Sequence, residues 1–144
     1  RGDSVDSVRC SWASCGADVG EMPAVEHDAW FAAVGHLPHL WAFALVYELA
    51  ARPNAKTLLS FAASGFRDFT RIAGSSPEMW RDIALNNREA LLRELMNYEA
   101  HILKLRKALE ASDGVALESL MARASQARNR WMAGDLDGFR DEAT

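Results

Sequence analysis

Residues 26–51 read EHDAWFAAVGHLPHLWAFALVYELAA. Placed on a helix at about 100° per residue, Trp30, Phe31, Val34, Leu37, Leu40, Trp41, Ala44, Leu45 and Leu49 cover most of its circumference. A helix apolar nearly all round is a central, covered helix, so this stretch predicts an all-α architecture built around it, from Glu26 or His27 to about Ala51. Pro38 lies inside the run and has no N–H to give the carbonyl of Val34, which predicts a kink. Gly35 weakens the helix at the same place. Arg52-Pro53-Asn54 ends it.

Downstream, short helices are expected over 55–63 and 65–73. Gly74-Ser75-Ser76-Pro77 then breaks the chain and starts a helix over 77–86, with Ser76 as cap and Pro77 at the first helical position. A long helix is expected over about 87–111. Leu91, Leu95, Tyr98, Ile102, Leu105 and Leu109 are spaced 4-3-4-3-4, a heptad seam. Leu117, Leu120, Ala124, Ala127 and Trp131 repeat 3-4-3-4 after the tight Ser112-Asp113-Gly114 connection, which predicts an antiparallel helical hairpin. Residues 134–144 are polar and expected to fray.

Residues 1–24 differ. A helix closing over Val8 to Cys15 and a turn at Gly16-Ala17-Asp18-Val19 into a short extended segment suit an α/β remnant. The expected division is therefore 1–24, remnant of a preceding domain, and 25–144, helical domain. Because the chain begins with Arg1, it is expected to be a piece of a longer protein.

Composition narrows the function. At 144 residues and 49% hydrophobic, the chain can build a core. A net charge of −4 argues against a nucleic-acid surface. No charge-free apolar run of membrane-spanning length is expected, because His36, Pro38 and His39 interrupt the longest candidate, 29–46. Cys10 and Cys15 fit no metal or redox spacing and are expected as free thiols in a reducing, cytoplasmic setting.

Two places carry possible chemistry. His36 and His39 share a helix face at i, i+3, and could polarise a carbonyl, hold a carboxylate or bind a metal; the plainer alternative is a pair of core histidines tying up backbone beside the proline. Metal is disfavoured because no carboxylate or cysteine completes a set. In 65–73, Arg67 and Arg71 would share a face if the run is helical, with Asp68 within reach of Arg71. Arg71 could present its planar fork to a carboxylate with Asp68 holding it; the alternative is a surface helix with one weak intrahelical ion pair. Trp80, after the Ser-Ser-Pro break, is core or ligand wall. There is no G-x-G-x-x-G, G-x-S-x-G, Walker or H-E-x-x-H pattern.

His27-Asp28, Gly-His-Leu-Pro-His at 35–39, Gly-Phe-Arg-Asp-Phe-Thr-Arg-Ile-Ala at 65–73, Ser76-Pro77-Glu78-Met79-Trp80-Arg81-Asp82-Ile83 and Asn87 resemble, in order and spacing, the C-terminal half of the prephenate dehydrogenase family, which includes cyclohexadienyl and arogenate dehydrogenases. The resemblance runs from about Trp12 to about Trp131. It implies a Rossmann-type domain binding NAD or NADP outside this chain, with residues 8–24 as its last helix–strand unit. It further implies an intertwined homodimer and oxidative decarboxylation of prephenate in the cleft between domains, by a catalytic histidine not in this chain. Carried over by position, Arg71 matches the arginine that binds a substrate carboxylate. Asp68 matches an acidic gate, His39 a histidine linked to the feedback inhibitor L-tyrosine, and His36 and Trp80 match pocket positions. Gly35 departs from the serine usual there, which leaves fine specificity open. No catalytic, cofactor or metal residue is expected here, so the chain alone should be inactive. An arogenate or dual-specificity enzyme, or a stand-alone helical module that binds tyrosine, are the alternatives.

Overall fold

Pro38 decides the local geometry of the central helix. In the computed structural model, which describes residues 2–137 and 139, α2 (Ala24–Phe31) runs into a π-turn (Ala32–His36) and then into α3 (Leu37–Ala50). Leu37 N–H bonds the carbonyl of Ala32, five residues back, and Pro38 falls in the first turn of α3, where an N–H is not needed. The kink expected at the proline is thus a one-turn widening just before it. Taken whole, residues 24–50 are long and apolar enough to cross a membrane by length and composition. That corrects the expectation that no stretch would qualify: the two histidines and the proline break the run in sequence but not the helix. Ala32, Leu37 and Ala42 of this helix are nevertheless buried in protein.

Two compact units divide the chain, residues 1–94 and 95–144, with α7 (Arg88–Glu110) shared between them. In the first, α3 packs against α4 (Ala55–Ser60), α5 (Ser64–Thr70) and the 3₁₀ turn Arg71–Gly74 that follows α5. Then comes α6 (Pro77–Asn86), whose start is as expected: Ser76 accepts from Met79 N–H at 3.3 Å and Pro77 stands at the first position. Asn87 joins two helices, its N–H bonding Ile83 O and its carbonyl accepting from Leu91. Ala90 and Leu91 complete the small buried core.

In the second unit, Asp113 caps α8 (Gly114–Met132) by accepting from Ala116 N–H at 2.9 Å, after a tight turn at Ser112 with φ 51°. The two heptad faces meet only loosely. Leu105 and Ala108 of α7, and Leu117, Leu120 and Ala124 of α8, line one groove of about 650 Å³. Ile102, Leu109, Met121 and Trp131 stay exposed. The expected hairpin forms, but its seam is half-buried rather than closed.

At the other end, α1 (Gly2–Ser14) closes within the expected 8–15 span and is followed by a turn with Gly16 at φ 82°. The expected extended segment after it is not a strand. An isolated extended segment has no ladder partner among the described residues, and an Arg9–Glu21 ion pair ties it back to α1 instead. Both cysteines are free and exposed. The fold is all-α, 79% helical with no strand among the described residues. The fraying expected over 134–144 falls partly on residues 138 and 140–144, outside the described residues.

Candidate functional site

A π-turn brings residues five apart onto one face, and this one sets His36 beside Phe31, with ring centroids 6.5 Å apart. One α-turn earlier, His27 stacks on Phe31 at 4.4 Å, and its Nδ1 lies 3.2 Å from Asp28 Oδ1. Three histidines of the long helix therefore gather, where ideal α-geometry would put His27 and His36 on opposite sides.

From the next helices come Trp80 and Asn87. Trp80 lies flat on His39, centroids 3.6 Å apart and planes 20° apart, and meets His36 edge-on at 6.1 Å. One indole face is thus covered by His39, so Trp80 serves first to hold that imidazole. Its Nε1 is buried without a hydrogen-bond partner among the described residues. His39 is pinned a second way, by donating from Nδ1 to Gly35 O at 2.9 Å. A carbonyl only accepts, so His39 Nδ1 carries a hydrogen and, in the neutral ring, Nε2 carries the lone pair.

Asn87 is the only buried polar side chain among the described residues. Its Nδ2 is 2.8 Å from Asp28 O and 3.2 Å from His36 Nδ1. An adjoining cavity of about 330 Å³, lined by Val25, Asp28, Asn86, Asn87, Arg88 and Arg93 among others, takes in Asp28 and Asn87 but not the histidines. His36 titrates below the ordinary 6.5 because burial disfavours its charged form and the neighbouring His27 opposes it further; Asp28 pulls the other way and His39 adds a smaller push downward. No group of His, Cys, Asp and Glu among the described residues could hold a metal.

Of the residues singled out in sequence, His36, His39 and Trp80 come together. No hydrogen bond, ion pair or ring contact joins Asp68 or Arg71 to these three among the described residues. Asp68 is exposed on α5, and Arg71 is exposed at the start of the 3₁₀ turn that packs on α3. The anticipated pairing of Asp68 with Arg71 is absent: neither makes an ion pair among the described residues. Asn87, His27 and Asp28 were not picked as site residues. An asparagine at a helix joint gives no signal in sequence that it reaches back 59 residues to Asp28.

The family model of the prephenate dehydrogenase dimerization domain matches residues 23–123. A cyclohexadienyl dehydrogenase from Zymomonas mobilis is 36% identical over 119 residues, which is 81% of this chain and 41% of that protein. A prephenate dehydrogenase from Bacillus subtilis is 43% identical over 94 residues, 65% of this chain and 25% of that protein. Among solved structures, prephenate dehydrogenase from A. aeolicus in complex with hydroxyphenyl propionate and NAD+ superposes with a TM-score of 0.76 at 34% identity, over 94% of this chain and 46% of that one. Synechocystis arogenate dehydrogenase gives 0.77 at 25% identity, over 91% and 48%. The chain spans less than half the length of each of these proteins. The match over residues 23–123 and the similarity to these relatives show that the chain belongs to the prephenate dehydrogenase family, through its dimerization domain.

Proposed function

We propose that this chain is the substrate-binding and dimerisation part of a cytoplasmic NAD(P)-dependent prephenate dehydrogenase, which oxidatively decarboxylates prephenate to 4-hydroxyphenylpyruvate. The observation that carries this is the inequivalent histidine pair beside Trp80, within a chain whose family model is the dehydrogenase's dimerization domain. A dinucleotide does not fit here: the described residues contain no strand, hence no strand–turn–helix unit. NAD or NADP is assigned to a preceding domain, of which residues 1–24 are the end. This chain's task is binding and orientation.

Prephenate carries two carboxylates and a ring hydroxyl. Arg71, exposed and without an ion-pair partner among the described residues, binds a carboxylate through its fork, and Asp68 next to it gates that contact. His39 Nε2 offers a lone pair to a hydroxyl or, in L-tyrosine, to the ammonium group, which makes the same pocket the seat of feedback inhibition. The exposed apolar residues of α7 and α8 are covered by a second copy in a homodimer.

The test is the whole enzyme purified with its cofactor domain and assayed with prephenate and with arogenate. Turnover of prephenate is expected. Turnover of arogenate alone would replace the substrate, and tyrosine binding without either turnover would make the protein a regulatory module. His39→Ala is expected to raise the tyrosine inhibition constant more than it lowers kcat; equal inhibition of both forms would leave His39 a purely structural histidine.

A further inference from the structure

We propose that Asn87 is a positioning residue that locks His36 as the Nε2–H tautomer, giving His36 and His39 opposite wiring beside Trp80. The amide orientation is forced. The Asn87 atom 2.8 Å from Asp28 O must be the nitrogen, since the flipped amide would set oxygen against oxygen. That –NH2 has two hydrogens: one goes to Asp28 O, and the other is aimed at His36 Nδ1, 3.2 Å away. His36 Nδ1 must therefore be the bare nitrogen, and the ring's own hydrogen sits on Nε2.

The arrangement also disfavours the imidazolium, whose Nδ1–H would face an N–H. The surroundings push the same way. The titratable groups that bear on His36 are His27 and Asp28 from α2 and His39 from α3, while α6 and its joint with α7 present only the uncharged Trp80 and Asn87. Asp28, the one group favouring charge, has its carboxylate beside His27 Nδ1. Asn87 is 9% exposed, so water competes poorly for these bonds. His39 has the opposite wiring, through Gly35 O. Two chemically identical side chains, one helical turn apart, thus present one N–H and one lone pair, with neither Nε2 bonded to protein among the described residues. Such a pair offers one donor and one acceptor, which suits a ligand that carries both, such as a hydroxyl, rather than two like groups. The ligand's class rests on the proposed function; the tautomer does not.

The experiment is long-range nitrogen–proton NMR of the chain with nitrogen-15 histidine, across pH 5–8, for wild type, Asn87→Ala and Asn87→Asp, with circular dichroism as the check on folding. In the wild type, the His36 Nδ1 resonance is expected at the unprotonated position and His39 Nδ1 at the protonated one. Asn87→Asp should reverse His36, because a carboxylate accepts from Nδ1–H, and should move its titration upward. Asn87→Ala should give averaged tautomers. A wild-type His36 protonated on Nδ1, or averaged between tautomers, overturns the proposal even if both variants fail to fold. So does a folded Asn87→Asp with unchanged His36. In the whole enzyme, Asn87→Asp should raise KM for prephenate roughly tenfold with KM for the nicotinamide cofactor unchanged. Equal effects on both would overturn the positioning role. An enzyme that does not use prephenate would refute the proposed function and leave the tautomer result standing.

Discussion

The two compact units of this chain solve opposite problems. Residues 24–94 bury little but tie polar side chains together across long sequence distances: Asn87 to Asp28 and His36, and Trp80 to His39. Residues 95–132 have regular heptads and good caps, and hold local pairs such as Arg106–Glu110 and the Asp113 cap. Their apolar seam is left half-open around a 650 Å³ groove. The first unit is wired and the second is unfinished. Wiring sets chemistry in advance of a ligand, whereas an open seam waits for another surface.

The largest test of that contrast is a charge placed in the seam. Leu105→Glu puts a carboxylate on the groove floor, where a second copy would cover it, and burying an unpaired charge costs at least several kcal/mol. Sedimentation equilibrium at micromolar concentration should find the wild type as a dimer and the variant as a single chain. A wild type that sediments as one chain would show that the seam is not an interface between copies.

The next effect belongs to the first unit. Arg71→Ala in the whole enzyme should weaken prephenate use by about 2–5 kcal/mol in kcat/KM if the guanidinium meets a carboxylate screened from water. Steady-state kinetics with prephenate and cofactor varied separately decide it. Unchanged prephenate kinetics would make Arg71 a solvated surface residue, in keeping with its exposure in this chain.

A smaller effect comes from pH. His36 titrates lower in the fold than in the unfolded chain, so the unfolded chain binds more protons there as pH falls. Its contribution is full above about 6.5, and stability drops as pH falls from 6.5 towards the lowered folded value. Urea titrations at pH 7.5 and 5.5 should show this loss in the wild type and a smaller one in His36→Gln. An identical pH dependence would place the sensitivity elsewhere.

The heptads were legible because periodicity reports where apolar surface points, and the helix bounds follow it closely: 77–86 as expected, and 88–110 against 87–111. Ser76 and Pro77 were legible for a local reason, since a cap and its helix are neighbours in sequence. The histidine cluster was only half legible. His36 and His39 share a face at i, i+3, but His27 joins them only because the π-turn widens the helix between, and no count at about 100° per residue anticipates an inserted step. Asn87 was illegible as a site residue because its partners lie 59 and 51 residues away in sequence. The turn into extended chain after residue 16 was legible, but extended propensity makes no strand without a neighbour to pair with, and none is present among the described residues.

The smallest effect sharpens the account of the wired unit at its own hinge. Gly35 lies in the π-turn, and its φ is not in the left-handed region, so no backbone requirement for glycine follows from its conformation. A Cβ there would meet Phe31 Cδ1 at 3.5 Å, an ordinary contact, so the space exists. Glycine costs about 0.5–1 kcal/mol against alanine within a helix, mainly through the freedom it loses on folding. Gly35→Ala should therefore stabilise the chain by up to about that amount, a rise of a few degrees in Tm. The Gly35 carbonyl that holds His39 remains in the variant, so the Nδ1-protonated signature of His39 should persist. A fall in Tm with that signature intact would mean that Phe31 cannot give way, and the cost would be local packing. A fall in Tm with the signature lost would mean that the π-turn itself depends on glycine, and that the gathering of His27, His36 and His39 rests on one missing side chain.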